Sequence, residues 1–226
     1  MSVIDQIREQ EQRGKWQVLV PCYLPPATLT QIVLHFRPMT KPTIFIETER
    51  LWLRPFTPED LHPFTAMRGD PTIARYQSWS NFTEADGYLF ILEMQEAEPD
   101  IPGQWYQFAV ALRDTNEFIG DCALYVEEDG RSGEIGYTFA TAHQKQGHAT
   151  EALTALLHYT QHTLHLHHIT AITDSRNHSS IALLERLHFQ RQKEESTWFK
   201  GEWATEYHYR LTLSPTLFKK PTSPLT

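Results

Sequence analysis

The segment Gly133-Glu134-Ile135-Gly136-Tyr137-Thr138-Phe139 alternates as a strand does, breaks into a polar turn at Gln144-Lys145-Gln146, and resumes as a helix at Gly147-His148-Ala149-Thr150. A helix start of this kind presents unpaired backbone N–H groups at the positive end of the helix dipole. Such a terminus is a ready site for phosphate oxygens. Gly147 lets the backbone approach a ligand with no Cβ in the way. Neither GxxxxGK[ST] nor GxGxxG occurs, so the common nucleotide fingerprints are excluded. From Gly147 to Thr163, Ala149, Ala152, Leu153, Leu156, Leu157 and Thr160 recur at helical spacing and predict one continuous packing face.

Around this unit the pattern predicts an α/β chain. Leu51, Leu53 and Pro55 belong to an early strand. Thr57-Pro58-Glu59-Asp60 opens a helix, with a threonine cap, proline at the first helical position and two acids in the first turn. Thr83-Glu84-Ala85-Asp86 opens another, for which Tyr88, Leu89, Ile91, Leu92 and Met94 supply a buried stripe. Strands near 104–113, 117–127 and 132–140 are separated by turn chemistry at Asp114-Thr115-Asn116 and Glu128-Asp129-Gly130, which predicts an antiparallel meander. A strand from His168 to Thr173, a helix from Ser179 to Leu187, and strands near 189–199 and 204–213 complete one domain, 41–213. Residues 1–40 read as an extension, with strand character from Trp16 to Leu24 and an apolar stretch from Thr28 to Phe36. Residues 214–226, with three prolines, read as a flexible tail.

Composition narrows the function classes. No apolar run approaches the ~18 residues of a membrane span, and the polar start at Met1 to Gly14 argues against a secretory signal. Cys22 and Cys122 are far apart and in no metal spacing, which suits reduced thiols in a cytoplasmic protein. The formal net charge of −8 argues against a general nucleic-acid binder. It suits a cationic partner, or serves only solubility. Among the 12 histidines, His162, His165, His167 and His168 cluster, but nothing completes a zinc spacing, and no metal is expected.

Four segments in order resemble the GNAT superfamily of N-acetyltransferases, and its RimJ/RimL branch in particular. They are 46–55 (Ile-Glu-Thr-Glu-Arg-Leu-Trp-Leu-Arg-Pro), the strand–loop–helix with Q-x-x-G-x-A at Gln144, Gly147 and Ala149, the run from Asn177 to Phe189, and Trp203 to Leu211. The resemblance spans roughly residues 43–212. It implies a GNAT fold: a mixed, largely antiparallel, splayed sheet flanked by helices. It implies acetyl-CoA as co-substrate, with the pyrophosphate on Gln144, Lys145, Gln146, Gly147, His148, Ala149 and Thr150, mostly through backbone N–H. The pantetheine arm is expected beside Tyr137, Thr138 and Phe139, one of whose N–H groups would serve the oxyanion, and at Asn177. The resemblance makes Glu134 the candidate general base, against a plain strand-end acid. Ser180 is expected either to cap its helix, as Ser179 also could, or, as the resemblance implies, to stand with Asn177 among the cofactor-binding residues and protonate the leaving thiolate.

Three departures from the family pattern stand out: Lys145 and His188 replace usual glycines, and Leu184 replaces a tyrosine that protonates the thiolate in many members. Trp79-Ser80-Asn81, Trp105 and Tyr106 lie on segments that border the acceptor side in relatives. The reading is direct acetyl transfer to a primary amine. The acceptor is a protein N-terminus or a small amine such as an antibiotic, a polyamine or an amino-acid analogue. A reading from another class is a non-catalytic acyl-CoA-binding sensor. The apolar residues of the extension are expected to pack on the domain or on a second copy in a homodimer.

Overall fold

A computed structural model describes residues 44–214, so the expectations for 1–40 and for all but the first residue of the tail lie outside the described residues. A short hairpin, β1 (Ile46–Glu47) and β2 (Leu51–Arg54), leads through a 3-10 turn at Pro58–Asp60 into α1 (Leu61–Gly69) and α2 (Pro71–Ala74). After α3 (Glu84–Glu96) come β3 (Trp105–Leu112), β4 (Phe118–Val126) and β5 (Ser132–Phe139). Then follow α4 (His148–His162), β6 (His168–Asp174), α5 (His178–Arg186), β7 (Gln190–Phe199) and β8 (Glu202–Thr212). The eight strands form one sheet in the order β1-β2-β3-β4-β5-β6-β8-β7, antiparallel except where β5 meets β6.

Local chemistry sets the helix starts as the sequence predicts. The N–H of Thr57 donates to Asp60 Oδ2 at 2.7 Å, and the N–H of Thr83 donates to Asp86 Oδ2 at 2.8 Å. These are the reciprocal boxes that satisfy orphan donors at a helix entry. The stripe of α3 differs from expectation: Gly87, Tyr88, Ile91 and Met94 are buried, while Leu89 and Leu92 are only half-buried. A Cβ at Gly87 would lie 2.6 Å from Thr65 Oγ1, so glycine allows α3 to close on α1 on the face where Gly87 and Ile91 are buried.

The sheet's alternation divides two cores. Tyr106, Phe108, Cys122, Leu124, Ile135 and Phe139 pack with Leu153, Leu156 and Leu157 of α4 and Leu183 and Leu184 of α5. The opposite face packs Ala109 with Phe64 and Met67 of α1 and Ile91 and Met94 of α3. Tyr106 is 1% exposed in the first core, so it is a packing residue and not part of an acceptor surface.

Arg54, fully buried, ties three segments together. It pairs with Asp60 at 2.7 and 2.9 Å, and its Nε donates to Asn116 Oδ1 at 2.9 Å. Arg54→Met should lower the stability measured by urea unfolding by about 3–5 kcal/mol, because it strands a buried carboxylate. Adding Asp60→Leu should restore much of the loss, since the unpaired charge is then gone. A single variant as stable as the double would contradict this account of Arg54.

The feature that positions the site is a parting of strands. β5 and β6 pair in parallel over only three rungs, Ser132↔His168, Gly133↔Ile169 and Glu134↔Thr170. Beyond Glu134 the two strands diverge, while β5 stays paired to β4 through Tyr137↔Cys122 and Phe139↔Gly120.

Candidate active site

Past Phe139, a single 3-10 turn at Thr141–His143 leads to the loop that opens α4. The loop is braced from within. Gln144 Nε2 donates to the carbonyl of Phe139 at 2.9 Å, and Gln146 Nε2 donates to that of Ala142 at 2.8 Å. Lys145 and Gly147 have φ of 60° and 84°. Lysine thus adopts the left-handed backbone that a glycine would supply. At the N-cap, Gly147 offers no side chain, and the first helical bond runs from the N–H of Glu151 to the Gly147 carbonyl at 3.0 Å. The N–H groups of His148, Ala149 and Thr150 therefore stand at the positive helix end ahead of the first intrahelical bond.

The side chains of this loop divide differently from its backbone. His148 is buried, with Nδ1 3.3 Å from the carbonyl of His143, so only its main chain can face a ligand. Two arginines flank the loop that sequence reasoning did not assign to it. Arg50, in the β1–β2 turn, donates to the Gln146 carbonyl at 3.2 Å and pairs with Glu151 at 2.6 Å. Arg186, at the end of α5, donates to Thr150 Oγ1 at 3.3 Å. A Cβ on Gly147 would meet only Arg50 Nη2, at 3.3 Å. Free N–H groups at this helix terminus, with Arg50 and Arg186 bonded to the loop and first turn, are donors of the kind that accommodate phosphate oxygens.

The diverging strands form the second part. Glu134 occupies the last parallel rung, on the α1/α3 face with Gly136 and Thr138, while Ile135, Tyr137 and Phe139 point to the α4/α5 core, as the alternation predicts. Next to Glu134 on its face lies Tyr125, which stacks on Trp105 with ring centroids 5.3 Å apart. Across the gap, Asn177 caps α5 by accepting the N–H of Ser180 at 3.2 Å. The cap expected of Ser179 or Ser180 is thus supplied by Asn177, which sits where an N-cap oxygen reaches the third helical N–H. Ser180 Oγ lies 2.8 Å from the Tyr137 hydroxyl. Burial pushes the Tyr137 phenol well above its ordinary range. Leu184 is fully buried, so that position offers packing and no acid.

The α1/α3 face beyond the gap is rich in carboxylates. Asp174, Glu206 and Glu195 are direct cross-strand neighbours on β6, β8 and β7. Arg176 binds Asp174 at 2.7 Å and Glu202 at 2.7 Å, and Lys193 binds Glu195 at 2.8 Å. The β7–β8 turn reaches over this face, where Lys200 Nζ donates to the carbonyls of Ala74 and Trp79 at 2.7 and 2.6 Å. The Arg68 guanidinium carbon lies over the Trp79 ring, 3.8 Å from its centroid, and Trp79 is a packing element of that rim. Among the described residues, no group of three or more His, Cys, Asp or Glu is placed to hold a metal ion, and no helix is long and apolar enough to cross a membrane.

Known proteins share this sequence pattern and this fold. The model of the family "Acetyltransferase (GNAT) domain" matches residues 50–190. An uncharacterized N-acetyltransferase, p20 of Bacillus licheniformis, is 33% identical over 147 residues, 64% of this chain and 82% of that protein. A GNAT-family acetyltransferase from Bacillus anthracis has a similar structure, with a TM-score of 0.68 and 26% identity over 75% of this chain and 98% of that one. RimL, a ribosomal L7/L12 alpha-N-protein acetyltransferase, shares the fold at a TM-score of 0.66 and 16% identity, covering 79% of this chain and 99% of its own. RimL is also known in complex with Coenzyme A. The chain belongs to the GNAT acetyltransferase family and is an acetyl-CoA-dependent N-acetyltransferase.

Proposed function

We propose that the acceptor is the α-amino group of a polypeptide amino terminus, in the manner of the RimJ/RimL branch, with Glu134 as general base. The supporting observation is the carboxylate row Asp174–Glu206–Glu195 on the same sheet face as Glu134. Like charges placed directly opposite are unfavourable in a sheet. Arg176 and Lys193 already answer two of these carboxylates, and an acidic face of this kind steers a cationic acceptor toward the gap. The α-amino group is favoured over lysine by the proton balance. It titrates near ~8 against ~10.4, so at neutral pH about one unit of deprotonation is needed against about three. At ~1.4 kcal/mol per unit, a single carboxylate or a water path to it suffices for the first but leaves ~4 kcal/mol for the second. The acceptor class in RimL's own name points the same way.

In this reading, acetyl-CoA lies with its diphosphate on the backbone of Gln144–Thr150 and its arm along Tyr137–Phe139 and Asn177. The amine attacks from the α1/α3 face. The test is a panel of peptides with free and blocked amino termini, lysine side chains and polyamines, followed by CoA release and mass spectrometry. Free amino termini should be modified first, and more rapidly in peptides carrying basic residues near the terminus. Turnover confined to polyamines or other small amines would replace this acceptor with that one.

A further inference from the structure

The Tyr137–Ser180 contact joins the divided strand to the helix across the gap, and no capping role accounts for it. Asn177 caps α5, so the Ser180 hydroxyl is not spent on the backbone N–H groups of its own helix. It sits 2.8 Å from the Tyr137 hydroxyl, and the Ser180 carbonyl is a longer 3.4 Å away. Leu184, fully buried one turn on, offers packing and no proton donor. We propose that Tyr137 is a positioning residue: its hydroxyl donates to Ser180 Oγ and so aims the serine proton at the departing sulfur of CoA. The inference rests on the reading that acetyl-CoA occupies the gap.

The pair acts as a hydrogen-bond donor and not as a proton source. A thiol titrates near ~8.5 and an ordinary phenol near ~10, so proton transfer from tyrosine to a thiolate is uphill. Burial raises Tyr137 further, Cys122 of β4 and Tyr209 of β8 add to that, and only the Ser180 bond opposes them. Tyr209 in turn donates to Glu185 at 3.4 Å. As the amine nitrogen bonds to the acetyl carbon, the C–S bond breaks and its electron pair stays on sulfur. The amine proton leaves by way of Glu134. CoA departs as a thiolate held by the Ser180 O–H and takes its proton from water, and both hydroxyls keep theirs.

The test needs no acceptor. Isothermal titration would compare CoA with desulfo-CoA, at neutral pH and at a pH above the thiol's own titration. Wild-type protein should prefer CoA, and the preference should grow with pH to on the order of tenfold, the worth of one hydrogen bond to a charged atom. Ser180→Ala should bring the ratio close to one. Tyr137→Phe, which keeps the ring and its packing, should lower the ratio several-fold without weakening desulfo-CoA, and adding it to Ser180→Ala should change nothing more. A Tyr137→Phe ratio equal to wild type, or a loss that adds to that of Ser180→Ala, would overturn this inference while leaving the cofactor site intact. Failure of both nucleotides to bind would remove the cofactor site and this inference together.

Discussion

Gly147→Glu should abolish the rise in Tm that acetyl-CoA gives the wild-type protein. A ligand that binds only the native state stabilises it by mass action, by ~2.7 kcal/mol at a hundred times its Kd, so the shift reports occupancy directly. The residue caps α4 at φ 84°, and a side chain there would meet only Arg50 Nη2 at 3.3 Å. The variant should fold, at the cost of about 1–2 kcal/mol for a left-handed non-glycine residue. Its carboxylate would pair with Arg50 and place negative charge where the diphosphate lies. Gly147→Ala separates the two effects, because it brings the same backbone cost without the charge and should retain part of the ligand shift. An undiminished shift in Gly147→Glu would take the loop out of the cofactor site.

Glu134→Gln should reduce turnover by about 10²- to 10⁴-fold, the range of a lost general base, while leaving acetyl-CoA affinity nearly unchanged. Glu134 sits on the last rung before β5 and β6 part, so its side chain borders the gap on the α1/α3 face and not the diphosphate loop. The sign of the pH dependence follows from the amine. Below its titration the acceptor is an ammonium and needs a base, and above it the nitrogen is already neutral. The loss should therefore shrink as pH rises through ~8 for an amino-terminal acceptor. A loss of the same size at every pH would assign Glu134 to positioning.

The sequence discloses what depends on near neighbours. The period-2 alternation of 133–139 placed Glu134 and Tyr137 on opposite faces, and Thr57 with Asp60 and Thr83 with Asp86 marked two helix starts from residues three apart. The apolar stripe of α4 was equally plain, with Ala152, Leu153, Leu156, Leu157 and Thr160 all buried. Contacts that close over long separations were not legible. Arg50 reaches Glu151 across 101 residues, and Lys200 reaches Ala74 across 126, and no local pattern encodes either. The cap of α5 was ambiguous for a different reason: Asn177, Ser179 and Ser180 are all competent cap residues, and the helix starts so that Asn177 is the one at the N-cap. His148 reads as a polar residue of the loop, yet its side chain is buried at the first turn of α4, with Nδ1 near the His143 carbonyl.

The central claim is that acetyl-CoA binds between the 144–150 loop and the parted strands. Amide hydrogen exchange with and without acetyl-CoA tests it most directly, because the first-turn amides of α4 lie ahead of the helix's own bonding. Acetyl-CoA should slow exchange at His148, Ala149 and Thr150 and at Tyr137–Phe139, with no change at the shallow pocket lined by His168, His188 and Arg210 near the start of β6. Protection at that pocket, with the amides of 148–150 exchanging as before, would contradict it.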